Sequence, residues 1–131
     1  MANKKLLEKA ATAILKDGRV DESEAIELRE LLYSDKIIDR DECDLLFRLA
    51  AETTGNHEKF DNLFIQGVSD HVLKDPSSPG KINKAQAKYL IAKIWADGKV
   101  DDLEKALLNN IKKQATEIHP TLAEKIAELG N

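Results

Sequence analysis

An all-α fold of about seven helices, built from a duplicated helical unit, is the class this chain predicts, and three observations lead there. Leu, Ala, Lys and Glu are abundant, while the 131 residues hold only 6 Gly and 3 Pro, with 5% Phe, Trp and Tyr. These are helix formers rather than sheet formers. Apolar residues recur three and four apart, and no segment alternates in the manner of a strand. A short acidic phrase with the marks of a helix start occurs four times.

Each element follows from its spacing. Leu7, Ala10, Ala11 and Ile14 mark a first helix, and Ala25, Leu28 and Leu32 a second. Cys43, Leu46, Phe47 and Ala50 mark a third, which ends near "TTGN" at 53–56. Phe60, Leu63, Phe64, Gly67, Val68 and His71 form a long stripe on a fourth. The prolines and serines of "DPSSPG" (75–80) make a loop. Ala87, Leu90, Ile91, Ile94 and Trp95 face inward from a fifth helix, and Leu103, Leu107, Ile111 and Ile118 from a sixth. Pro120 ends that helix and opens a short seventh carrying Leu122, Ile126 and Leu129.

The joints between these helices share one recipe. "DGRVDESE" (17–24) returns as "DKIIDRDE" (35–42), "PGKINKAQ" (79–86) and "DGKVDDLE" (97–104). The members of each pair are 18 residues apart and the pairs 62 apart, the signature of an internal duplication. Gly18, Gly80 and Gly98 suit the left-handed conformation that ends a helix. At the second joint Lys36 stands in that place, at a steric cost. Val20, Ile38, Ile82 and Val100 pin the entering chain just before the next helix. Asp21, Asp39, Asn83 and Asp101 are N-caps, and Glu24, Glu42, Gln86 and Glu104, three residues on, complete capping boxes. The expected organisation is one domain over 1–131, with a repeat at about 5–53 and 57–118.

Composition narrows the function classes. The net charge is −4 with no dense basic run, so nothing neutralises phosphates and a nucleic-acid role is disfavoured. The lone cysteine, Cys43, has no partner for an intramolecular disulfide, which fits a reducing cytoplasm. Glu8 and Lys9 interrupt the first apolar run, which argues against an export signal. No apolar run approaches the ~20 residues of a membrane span. Neither a nucleophilic triad nor a nucleotide-binding loop is present, and "PGKI" and "DGKV" lack the remaining residues of a phosphate loop. The chain reads as a non-enzyme.

The acidic phrase raises calcium, but an EF-hand does not fit. Placing Gly18 and Glu24 at the sixth and twelfth loop positions puts Ala13 and Leu15 where the first ligands belong. In the last copy those places hold Lys93 and Trp95. A different cation site survives. Short turns make helices alternate in direction, so the first and fourth joints are expected at one end. Asp17, Asp21, Glu24, Asp97, Asp101 and Glu104 then offer oxygen ligands to a hard divalent cation. Against this stands the plain role of caps. Asp17 and Asp97 are the informative pair, since a carboxylate at a helix C-terminus is unfavourable. Among the remaining candidates, His71 reads as hydrogen-bonded core, His57 and His119 as surface residues, and Cys43 and Trp95 as packed core. An interaction module binding a protein partner is the competing class.

The stretches "IWADGKVDDLE" and "ILKDGRVDESE", each finishing one helix and opening the next, resemble the TerB-like family, named for tellurite resistance. The resemblance implies an all-helical fold with a duplicated unit and a link to bacterial stress resistance. It further implies cation binding by acids of the motif, here Asp17, Gly18, Glu24, Asp97, Gly98 and Glu104.

Overall fold

The computed structural model describes residues 4–34, 38–96 and 98–129. Among them are seven helices, and the fold is all-α. The order is α1 (Lys4–Asp17), α2 (Glu22–Leu32), α3 (Arg40–Glu52), α4 (Glu58–Leu73), β1 (Lys81–Ile82), α5 (Lys84–Ile94), α6 (Asp102–Gln114), β2 (Glu117–Ile118) and α7 (Pro120–Ala127). The chain divides into two compact units, Met1–His71 and Val72–Asn131. No helix among the described residues is long and apolar enough to cross a membrane.

In the first unit α1 packs on α2 and α3. The helical stripes bury Leu7, Ile14, Leu28, Leu46, Phe60 and Phe64, each side chain contributing roughly 1.5–3 kcal/mol. Phe47 meets Phe64 edge to face, with ring centroids 5.2 Å apart. Gly67 explains how closely α3 and α4 approach. A Cβ there would lie 2.7 Å from Leu46 Cδ1, so only glycine admits the contact without movement.

The second unit repeats the order of the last three helices of the first, without a counterpart of α1. Its core holds Ile82, Leu90, Ile94, Leu107, Leu108 and Leu122, and α5 packs on α7. Helices α2 and α5 start at residues 22 and 84, α3 and α6 at 40 and 102, and α4 and α7 at 58 and 120. Every start is displaced by the same 62 residues that separate the repeated phrases. The C-caps Tyr33 and Trp95 have nearly the same dihedrals, φ −96 and ψ 11 against φ −97 and ψ 16.

Backbone ties repeat at the same spacing. Thr54 N–H donates to Gly18 O at 3.0 Å and His57 N–H to Val20 O at 2.9 Å. In the second unit Thr116 N–H donates to Gly80 O at 2.8 Å and His119 N–H to Ile82 O at 2.9 Å. There the two short strands run parallel, Lys81 opposite Glu117 and Ile82 opposite Ile118. In the first unit the side chain of Asn56 supplies the acceptor for Val20 N–H, at 2.8 Å.

Three expectations change. The sixth helix ends at Gln114 rather than reaching Ile118, because Thr116 and His119 are captured by the β1 segment. That pairing also creates two strands too short for any alternation to show. Trp95 is half-exposed at the end of α5 instead of packed in the core. His57 and His119 are half-buried rather than simply surface residues. The Nδ1 of each accepts a backbone N–H two residues on, from Lys59 and Thr121 respectively. The expected strain at Lys36 falls outside the described residues.

Candidate functional site

The joints are built as the phrase requires. Gly18, Gly80 and Gly98 all lie in the left-handed region, at φ 78, 76 and 78. Val20, Ile38 and Ile82 are buried just ahead of the helices they introduce, and Val100 is half-buried.

All four capping boxes form. Asp21 Oδ1 accepts from Glu24 N–H at 2.8 Å, and Glu24 Oε1 accepts from Asp21 N–H at 3.0 Å. Asp39 and Glu42 repeat this at 2.8 and 2.9 Å, and Asp101 and Glu104 at 2.7 and 3.0 Å. The neutral pair behaves alike, with Asn83 Oδ1 accepting from Gln86 N–H at 2.9 Å and Gln86 Oε1 from Asn83 N–H at 3.1 Å. Its amide hydrogens have work that carboxylates lack. Asn83 Nδ2 donates to Ser78 Oγ at 3.0 Å and Gln86 Nε2 to Asp75 Oδ2 at 2.8 Å. The buried Gln86 therefore ties the 75–78 loop to α5, where a glutamate would face the Asp75 carboxylate. Loss of the acids at this joint follows from the longer loop before it.

Of the six candidate ligands, Asp21 and Glu24 are brought together in one box and Asp101 and Glu104 in another. Asp17, the last residue of α1, is exposed and forms no hydrogen bond or ion pair among the described residues. Asp97, and with it the expected approach of Asp17 to Asp97, lies outside the described residues. Among the described residues no three His, Cys, Asp or Glu side chains gather in a way that could hold a metal ion. Asp21 Oδ1 is already engaged by Glu24 N–H and by Ser23 Oγ at 3.1 Å. The Glu24 N–H holds the Asp21 carboxyl below its ordinary range.

Electrostatics elsewhere in the first unit are structural. Tyr33 donates its hydroxyl to Asp70 Oδ2 at 2.6 Å, and the Arg29 guanidinium lies 5.3 Å from the Tyr33 ring centre. Burial, then Asp70, push the phenol well above its usual range. His71 bridges α4 to the start of α3. Its Nδ1–H donates to Ile38 O at 2.8 Å while Nε2 accepts from Arg40 Nε at 3.2 Å, an arrangement that needs the neutral ring. The reading of His71 as hydrogen-bonded holds, but the ring is half-buried rather than core. Cys43 is fully buried, as an inert packed thiol is.

Sequence reasoning missed at least two surface clefts, because each is made by pairs of helices. One, of about 340 Å3, runs between α1 and α3 in the first unit and is lined by Lys4, Glu8, Asp41, Asp44, Leu45 and Arg48. Lys4 spans its edge, paired with Asp41 at 2.9 Å and Asp39 at 3.3 Å. Another, of about 250 Å3, lies between α6 and α7 in the second unit. Compared with models of protein families, with curated proteins and with solved structures, the chain matches none.

Proposed function

We propose that this chain is a non-enzymatic, cytoplasmic helical domain of the TerB-like type that binds a protein partner, its acidic joints serving as helix caps. One observation carries the reading. Asn83 and Gln86 form the same reciprocal box as the three acidic pairs, with the cap residue at φ −82 and ψ 178 against φ −86 and ψ 179 at Asp21. A geometry that a neutral pair achieves equally well needs no metal ion to explain its carboxylates. The remaining negative charge suits the positive end of each helix. Recognition is then left to surfaces between helices. Calorimetric titration with calcium, magnesium, manganese and zinc, after chelation, tests this. The expected result is heat of dilution alone and an unchanged melting temperature. Saturable binding that Asp17→Asn abolishes overturns it.

A second reading is favoured by Asp17 itself. Its exposed carboxylate ends α1, where negative charge is unfavourable, and no described residue compensates it. In this reading Asp17 is one ligand of a divalent cation in a stress or metal-resistance response, the others being water, since Asp17, Asp21 and Glu24 do not gather into a cluster that could hold the ion. Asp97, Asp101 and Glu104 are their counterparts. The same titration separates the two readings.

A further inference from the structure

The outward faces of α2 and α5 are the same positions of the repeat, written with opposite charge. Displaced by 62 residues, Glu22, Ser23, Ile26 and Glu30 become Lys84, Ala85, Lys88 and Ala92, all of them exposed. α2 carries Glu22, Glu24, Glu27 and Glu30 against the single cation Arg29. α5 carries Lys84, Lys88 and Lys93 with no acid at all. In the middle of the acidic face stands Ile26, a large apolar side chain left 41% exposed.

Two of these charges are set against their own helices. Lys84 is the first residue of α5, and Glu30 lies in the last turn of α2. A cation at the positive end of a helix and an anion at the negative end both oppose the macrodipole. Neither finds relief nearby, for the side chains of Glu27, Glu30, Lys84 and Lys88 make no ion pair or hydrogen bond among the described residues. Glu22, by contrast, is engaged by Lys59 at 3.0 Å. A face that is merely solvated gains nothing from charge at the wrong end of its helix. A face that meets the opposite charge there does.

We propose that the outer face of α2 docks antiparallel on the outer face of α5 in a second copy of this chain. This rests on the reading of the chain as an interaction domain, and names the surface and the partner. Antiparallel alignment sets Glu30 opposite Lys84 and Glu27 beside Lys88. The spacings agree, since three residues on α2 and four on α5 advance roughly 4.5 and 6 Å along their axes. Glu30 then also lies at the positive end of the facing helix, and Lys84 at the negative end of its own partner. Parallel alignment does neither. Ile26 comes to rest on the aliphatic stem of Lys88, between Ala85 and Ala92, whose small side chains let the two helices approach. The contact joins unlike faces, so each copy keeps one face for a further copy. Made of exposed pairs over a small area, it is weak and screened by salt.

Sedimentation velocity on the full chain, from micromolar to millimolar concentration, tests this. At low salt the weight-average mass is expected to rise with concentration, and half-molar sodium chloride should return it to that of the monomer. The amide resonances of Ile26, Glu30, Lys84 and Lys88 should shift over the same range. Glu27→Lys combined with Glu30→Lys should stay monomeric, as should Lys84→Glu combined with Lys88→Glu. An equimolar mixture of the two variants should associate again, because each supplies the charge the other has lost. Both should fold, since Glu30→Lys and Lys84→Glu suit the dipoles of their own helices, and circular dichroism checks it. A monomer at every concentration overturns the proposal. So does association that survives in either variant, a mixture no larger than its components, or shifts confined to other surfaces. The salt and resonance measurements on the unaltered chain decide the matter even if a variant fails to fold. Cation titration is independent of this experiment, so failure here is distinguishable from failure of the capping account.

Discussion

Asp101 shows how much of a joint is local chemistry. Its side chain answers a backbone N–H three residues away, and Asp101→Ala should cost about 1 kcal/mol in a urea titration. Asp101→Asn should change stability by only a few tenths, because Asn83 already caps α5 in the same geometry. Acid acts on the same contact. The Asp21 carboxyl is depressed in the folded state, so its contribution is present above the ordinary carboxyl value of 3.8 and lost as pH falls through the lower folded value. Stability followed below pH 4 should therefore fall less steeply in Asp21→Asn. These caps were legible in the sequence because donor and acceptor are three residues apart. Asn56 was not, since it meets Val20 from 36 residues away. Asn56→Ala should cost about 1–3 kcal/mol, by leaving the Val20 N–H without an acceptor, and thermal unfolding checks it.

At the scale of elements, helix–helix approach sets the limits of what periodicity reveals. The stripe of α4 was readable from Phe60 to His71, but nothing in its spacing shows that Gly67 is there for contact rather than by tolerance. Gly67→Ala gains about 1 kcal/mol of helix propensity. It also brings a Cβ to within 2.7 Å of Leu46 Cδ1, so that buried side chain must shift, and overpacking of this kind costs about 1–3 kcal/mol. A net loss of about 1 kcal/mol in denaturant midpoint analysis is expected. The end of α6 was misread for a related reason. Ile118 keeps a helical spacing from Ile111, but the carbonyls of Gly80 and Ile82 take the N–H groups that another helical turn would have used. Local pattern loses to a partner distant in sequence. The clefts were invisible in the same way, because each exists only once two helices are set side by side.

Across the whole chain, the 62-residue spacing is the most legible feature, since it survives even where residue types diverge. It carries a measurable expectation. The amides of Thr54, His57, Thr116 and His119 lie outside helices but donate to backbone carbonyls, so hydrogen exchange should find them protected in pairs 62 residues apart. Rapid exchange of all four would remove the ties that define the repeat. The candidate site was legible only as caps, because capping is written locally while recognition depends on which faces remain open. The placement of Cys43 and Trp95 has a practical consequence. The one cysteine is sealed in the first unit and the one tryptophan lies in the second, where the Lys125 ammonium sits 5.8 Å from the indole centre. Each repeat thus carries its own reporter without labelling: a thiol reagent registers opening of the first, and indole fluorescence registers rearrangement of the second. Recorded together along one denaturation series, coincident curves identify a single cooperative body, and separated curves identify two repeats that melt in turn.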